Sequence, residues 1–546
     1  MFGGIMLAQL PLDRQSPSIF NDIVGPTMVG PSSSHTCGPA RIGFLSRQLL
    51  RGQLKSATVE FAREGAYALM YKGQRSDLGF ASGLLGFRPE DPRLRQSFQL
   101  ARDASISIDF KVTDFPPAVP NHAIITMVSD TGNRVVVHSD STGGGTVKLM
   151  KINGFDVSIV GDCYELLMEV KSTDPSRVDL VRDQITALFT TNEGVSTSTY
   201  EGSTMINIKL RESPEDVLDA IRAIEGADDV QMIRPVLVVG SNRHARMPFG
   251  SAAELLSVAE SDGRELWELA IDYECARSTW SREEVLSYMK YVVETMEMGV
   301  HEALKGDIEM GGIIKPTAGL IDRAGRDGKR WLDMGVLNTA VPWGMATMEC
   351  SSAMGVVLCA PTGGSAGVFP GAILGVADSM NLSMEEKVKA MLAVSIIGIV
   401  MSKDYNYSAE LYGCQVEPGA ASAMAAAGLV AIMGGTPRQS LDAASCALQN
   451  ILGTICDPVA GLVQVPCISR NAMSVANAVV SANIVMGGYD PLIPLDESAE
   501  TMFRVGKQLP SELRCTCKGG LCTTPTGRRL AEEQDVRDNS RYTQGS

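Results

Sequence analysis

Three cysteines, Cys414, Cys456 and Cys467, have the setting for metal chemistry. Cys456 and Cys467 lie eleven residues apart with Pro458 and Pro466 close by, and Cys414 follows a glycine 42 residues upstream. Eleven residues nearly restore a helical face, but the two prolines and Gly461 predict a loop. A loop can aim two sulfurs at one point while the intervening helices bring in the third. Three thiolates in an apolar, carboxylate-poor setting suit a soft metal centre, and iron–sulfur fits best. Three ligands on a four-cornered cluster leave one iron open as a Lewis acid. The plain alternative is three buried structural cysteines, since no local CxxC pair marks a site.

A second group of chemistry-bearing residues sits near the start, in GPSSSHTCGPAR. Ser32, Ser33, Ser34, His35 and Thr36 occupy a Pro/Gly-bounded loop before the helical run IGFLSRQLLRG. Such hydroxyls cap a helix, and its first N–H groups seat an anion such as a carboxylate. The same features also describe a well-capped helix start and nothing more. Glycines 143 to 145 permit close backbone approach to a ligand, or form a hairpin loop. Arg470 and Asn471 follow the last cysteine by three and four residues. The arginine fork can grip a carboxylate bidentately, a surface ion pair being the ordinary alternative.

The run GCQVEPGAASAMAAAGL followed by CDPVAGLVQVPCISRNAM closely resembles the α part of the iron–sulfur L-serine dehydratases, and GPSSSHTxGPxR resembles the N-terminal signature of their β part. PNHAIITM, SDSTGGGTVKLMKING, PTGGSAGVFP and GGLCTTPTG resemble further runs of that family. The resemblance implies a [4Fe-4S] cluster on Cys414, Cys456 and Cys467, whose uncoordinated iron takes the substrate hydroxyl. It also implies β-elimination from L-serine to pyruvate and ammonia. Catalytic roles then fall to Ser32, Ser33, Ser34, His35 (as base or proton relay), Arg470 and Asn471. Substrate contacts fall to Thr36, Asn121, Ser141, Thr142, Gly143, Gly144, Thr362, Gly363 and Ser365.

The chain departs from the family at Gln74, where a KGHGTD-like run normally carries histidine, and at His122, where threonine is usual. An amide cannot take a proton at neutral pH as an imidazole can. A lyase for another β-hydroxy or β-substituted amino acid is therefore the first alternative, and a non-catalytic amino-acid sensor the second. Cys515, Cys517 and Cys522 match no ligand pattern and read as ordinary tail cysteines, although in some relatives a terminal cysteine reaches the open iron.

The elements that must position these residues follow from periodicity. The expected fold is multidomain α+β. A β-type α/β domain for substrate spans 16–155, and a ferredoxin-like βαββαβ domain resembling ACT domains spans 156–240. A mostly helical α-type catalytic domain spans 250–527, and a polar tail without structure spans 528–546. The 546 residues exceed one core, and 54 glycines with 27 methionines predict closely packed helices. A net charge of −15 without a basic stripe disfavours nucleic acid. Residues 390–402 are nearly all apolar but too few to span a bilayer, so no membrane partner is expected. MFGGIMLAQLPLDRQ lacks the basic region of a signal peptide, and cluster thiolates need a reducing setting, so a cytoplasmic homodimer acting on a small amino acid is expected.

Overall fold

The computed structural model describes residues 16–328, 331–402 and 405–543; the N-terminal run read above for targeting lies outside the described residues. Alternating apolar residues put one face of each strand inward. The strands are β1 (Thr27–Val29), β2 (Leu54–Ala62), β3 (Ser107–Thr113), β4 (His122–Ser129), β5 (Arg134–Gly143), β6 (Thr146–Ile152) and β7 (Phe155–Ile159). They continue with β8 (Tyr164–Val170), β9 (Gly194–Tyr200), β10 (Ser203–Leu210), β11 (Asp228–Ile233) and β12 (Val356–Leu358). One sheet has the order β3-β2-β4-β5-β6-β7 and is parallel only at β2–β3. Val59, Phe61, Ile125 and Val137 line its inner face and share a core with Ile42 and Leu45 of helix Gly38–Arg47 and with Phe80 of helix Ser76–Leu84.

The second sheet runs β11-β8-β10-β9, every neighbour antiparallel, with helices Pro175–Thr186 and Leu218–Arg222 completing a βαββαβ order. Its first strand is not the one expected. FDVSI forms β7, which closes a hairpin onto β6 with Ile152 opposite Phe155, and YELLMEV supplies the opening strand β8. The cause is Asn153-Gly154: both have positive φ (49° and 95°), the turn chemistry that folds a strand back on its predecessor.

The remaining residues pack as helices around Pro418–Ile432, whose alanine- and glycine-rich sequence is buried on all sides. Helices Met384–Met401, Pro437–Gln449 and Cys467–Met486 surround it. Among the described residues, no helix is long and apolar enough to cross a membrane; the apolar run at 390–402 lies in this core.

The N-terminal segment belongs to this helical core rather than to the first sheet. Ile19, Phe20, Ile23 and Met28 are buried in it, and β1 pairs with β12. Ser18 Oγ and the Ile19 amide both donate to the buried Glu274 carboxylate, at 2.7 and 2.8 Å. The first domain therefore begins, physically, after this segment, and residues 30–37 turn at the junction of sheet and helices. At the other end, the tail expected to lack structure forms helix Pro525–Thr543. Pro525 opens it and Arg529 pairs with Glu533 one turn on, at 2.5 Å, so its polarity marks an exposed helix.

Candidate active site

Ser33–Cys37 forms a π-turn in which the Cys37 amide reaches Ser32 O at 3.1 Å. Ser32 Oγ accepts from the His35 amide (3.1 Å), and Thr36 Oγ1 donates to Gln74 O (2.8 Å), so both side chains hold the loop closed. Ser141 Oγ donates to Ser34 O at 2.9 Å, tying the turn to β5. His35 is completely buried, with its ring edge-on to Tyr67 at 5.2 Å.

Ser34 Oγ lies 2.9 Å from His35 Nδ1 and donates to Glu410 Oε1 at 2.8 Å. A hydroxyl has one proton, so Ser34 accepts from His35 Nδ1–H while donating to Glu410. This fixes the tautomer and leaves Nε2 as a lone pair, buried and without a partner among the described residues. Burial holds His35 below the usual histidine range despite Glu410 nearby. The Glu410 carboxyl is held below its usual range: burial opposes this, but the charge His35 takes up when protonated, a backbone hydrogen bond and the hydroxyls of Ser34 and Ser408 outweigh it. Asn121 Nδ2 and Ser408 Oγ also donate to this carboxylate, at 3.1 and 2.8 Å. The arrangement is a neutral imidazole oriented by a carboxylate through a serine, the pattern of a positioned general base.

Gly143, at φ +101°, passes so close to Ser408 that a Cβ there would meet Ser408 Cβ at 2.8 Å. Gly144 faces Pro361 O, and Thr142 bonds Thr146 across the hairpin (2.8 Å). Thr142 is thus turned to the hairpin rather than to the Glu410 network. His122 is bound to Asp140 at 2.5 Å and packs against Phe115 and His138, so it does not stand in for the family histidine beside His35. Gln74 Nε2 meets Met70 Sδ at 3.2 Å, and Met70 packs with Cys414, Cys456 and Cys515.

Cys414 follows the end of the short helix Ala409–Tyr412, Cys456 lies in an extended stretch, and Cys467 opens helix Cys467–Met486. Ligand atoms of Cys414, Cys456 and Glu417 lie within 4.8 Å of one another. Cys467 is outside that group, yet Cys414, Glu417 and Cys515 all act on its thiol electrostatically. The Cys456 thiol donates to Cys414; this bond and Arg470 hold Cys414 below the usual thiol range against burial, and Cys456 is pushed well above it. Burial likewise pushes Cys467 up. For Glu417, burial and then Cys414 raise the carboxyl well above its usual range.

Cys515, read from sequence as a tail cysteine, is brought against Cys456. Its amide donates to Cys456 O at 3.0 Å, and the Cys456 amide donates to Leu513 O at 2.8 Å. The neighbouring Cys456 draws the Cys515 thiol down, but burial leaves it at about 11. Cys515 and Cys517 both have φ of 55°, a left-handed conformation that persists only where the surroundings enforce it. Cys517 and Cys522 donate to Pro458 O, at 3.5 and 3.1 Å.

Arg470 does not stand free to grip a substrate. Its guanidinium pairs with Asp457 (2.8 Å), donates to Ile455 O (2.8 Å) and points at Cys414 Sγ (3.7 Å). It therefore clamps the two cysteine segments together. Asn471 clamps the other side, donating to Gly364 O and Cys467 O and accepting from the Gly367 amide. In the loop between, the Gly363 amide is bonded to Ser33 Oγ (3.1 Å), Ser365 Oγ caps Thr362, and Thr362 Oγ1 donates to Glu417 (2.7 Å). Arg470→Ala removes the clamp, and metal retention against a chelator is expected to weaken by roughly 10–100-fold, as for other groups that orient ligands. Unchanged retention in a chelator titration would contradict that role.

Sequence reasoning missed Glu410, Glu417, Ser408, Tyr67 and Asp457. A signal existed: Glu410 and Glu417 bracket Cys414 and are the only charged residues from 405 to 437. An isolated acid in an apolar run is costly unless paired or used.

A buried thiol set beside an oriented imidazole defines a candidate metal-assisted lyase site. Residues 261–522 match the family model of the serine dehydratase alpha chain. The chain is 36% identical over 285 residues to a probable L-serine dehydratase alpha chain of Bacillus subtilis, covering 52% of this chain and 95% of that one. It is 34% identical to the L-serine dehydratase alpha chain of Peptoniphilus asaccharolyticus, covering 52% and 97%. With L-serine dehydratase 1 of Escherichia coli it shares 27% identity over 513 residues, 90% of this chain and 96% of the relative. The protein belongs to the L-serine dehydratase family.

Proposed function

We propose that the protein is an L-serine ammonia-lyase that converts L-serine to pyruvate and ammonia with a [4Fe-4S] cluster on Cys414, Cys456 and Cys467. The observation that carries this reading is the Ser34–His35–Glu410 relay, whose carboxylate sits four residues before Cys414. One chemistry needs both parts: a base for a weakly acidic α-proton and a centre that makes hydroxide a tolerable leaving group.

The donor set fits such a cluster. It is sulfur-rich, enclosed by Ala66, Met70 and Ala409, and held by Arg470 from one side and Asn471 from the other. A bound cluster would supply Lewis acidity toward the β-hydroxyl. Everything else falls to the chain. His35 Nε2 is the acceptor for the α-proton, and the Glu410 carboxylate, acting through Ser34, offsets the positive charge that develops on the imidazole. Buried Asn121 Oδ1, without a partner among the described residues, and the hydroxyls of Ser33 and Thr362 offer polar contacts to the amino acid. The enamine left by elimination tautomerises to an imine, and one water restores the one lost as ammonia leaves.

The reading is tested by reconstituting the full-length protein with iron and sulfide under anaerobic conditions. Equal amounts of pyruvate and ammonia from L-serine are expected. Coloured, folded protein that forms neither would overturn it. Gln74 favours one variant of the reading: an amide replaces the family imidazole beside Met70, which changes the polarity of the wall next to the thiols. A panel including L-threonine measures how far the preference has moved. The βαββαβ order of residues 164–233 supports the ACT-like assignment, and twelve unpaired cysteines support a reducing cytoplasm as the working compartment. A homodimer remains part of the proposed assembly.

A further inference from the structure

Arg41 is one of the largest fully buried side chains, with 1% of its surface exposed. Its Nη1 donates to Gly145 O. Nε is buried without a partner, Nη2 makes no hydrogen bond among the described residues, and no carboxylate there lies within salt-bridge distance of it. An uncompensated buried cation is expensive, and natural proteins pair such groups with an anion or use them.

This guanidinium borders a cavity of about 50 Å³ at the meeting point of three parts of the chain. Thr27, Arg41, Arg88 and Glu90 come from the N-terminal region, Val238 follows the βαββαβ unit, and Tyr288 comes from the helix Arg282–Leu304. A single water needs ~10–15 Å³ on this scale, so the space takes a ligand of only a few heavy atoms. With Nη1 on Gly145 O and Nε closed off, Nη2 is the nitrogen left to donate to a carboxylate there, and the guanidinium charge attracts the anion. Arg88 adds a second cation at the rim, where it also pairs with Glu90 at 3.1 Å. Glu90 disfavours a dianion at this mouth and suits an ammonium group.

We propose that this cavity is a second ligand site, distinct from the thiol-lined one, that binds a small carboxylate of two to four carbons on Arg41 and Arg88. Its occupant would be felt at the candidate active site. Arg41 also holds Gly145, the adjoining Gly143 lies against Ser408, and Ser408 donates to Glu410. Residues far apart in sequence meet around the cavity, so a bound carboxylate also ties the N-terminal region to the helical core.

The test uses full-length protein with sodium propionate as the probe against sodium chloride at equal ionic strength, read by hydrogen–deuterium exchange and calorimetry. Propionate is expected to slow exchange in residues 26–41 and 143–146. Affinity is expected to fall at least tenfold in Arg41→Lys and, with the buried anchor intact, in Arg88→Gln, and to be unchanged in Ser34→Ala. Protection that persists in both arginine variants, or disappears in Ser34→Ala, overturns the proposal. Equal protection by inorganic phosphate overturns the carboxylate assignment. None of these readings requires turnover, so failure of the proposed lyase activity and failure of this site are separately visible.

Discussion

Cys456→Ala yields colourless protein without measurable turnover, and of all single substitutions it has the largest expected effect. Cys456 touches both other parts of the thiol set: its thiol donates to Cys414, and its backbone is bonded to Leu513 and Cys515. Removing its sulfur takes away the thiol that Cys414 and Cys515 both meet. Because the alanine keeps the backbone bonds, the fold should survive, which separates loss of metal from loss of structure. Iron and acid-labile sulfide content, the visible absorption band and far-ultraviolet circular dichroism are the three measurements. Retained colour and activity would remove Cys456 from the ligand set. Binding also displaces protons from Cys456, held up by its bond to Cys414, and from Cys467, held up by burial, so reconstitution should be faster and more complete as pH rises from 6.5 toward 8.5.

Substitution of His35 by Gln is expected to lower kcat by about 10²–10⁴-fold, the usual contribution of a general base. Its pH dependence is the sharper test. Burial lowers the His35 pKa below its usual value, so the neutral imidazole is the resting form at neutral pH. kcat/KM should therefore rise with pH along an acid limb whose midpoint lies below 6.5, as the imidazolium loses its proton. Glu410 acts in the opposite sense, its charge favouring the imidazolium. Glu410→Gln should move the limb to still lower pH and reduce the plateau, because the base is weaker and its tautomer is no longer fixed. A merely structural Glu410 would change the amount of active protein without moving the limb. An unmoved midpoint in Glu410→Gln would exclude the relay.

Much of this site was legible in the chain because sulfur, hydroxyl and imidazole groups are conspicuous in apolar surroundings. The loop between Cys456 and Cys467 follows from Pro458, Pro466 and Gly461, and every strand of the first sheet except β2 follows from period-two alternation in residues 105–160. Other features depend on contacts between distant segments, which spacing does not encode. Glu410 looks like a helix residue until Ser34 meets it, and Cys515 has no ligand spacing because its link to Cys456 is made by backbone pairing. Arg470 shows the converse: its type and place suggest substrate binding, but Asp457 and Ile455 O claim the guanidinium. Alternation alone does not tell β7 from the opening strand of the next unit; the Asn153-Gly154 turn does. A polar composition is shared by an exposed helix such as Pro525–Thr543 and by a chain without structure.

The pairing of Ser34 with Glu410 spans 376 residues, and β1 waits for β12 before it has a neighbour. On a ribosome adding roughly 5–20 residues per second, the imidazole waits on the order of 20–75 s for its carboxylate. Throughout that interval Ile19, Phe20, Ile23 and Met28 have no helical core to enter. This stretch, made long before its partners, is thus among the last to be sheltered, and holdase chaperones should find a foothold on the nascent chain there.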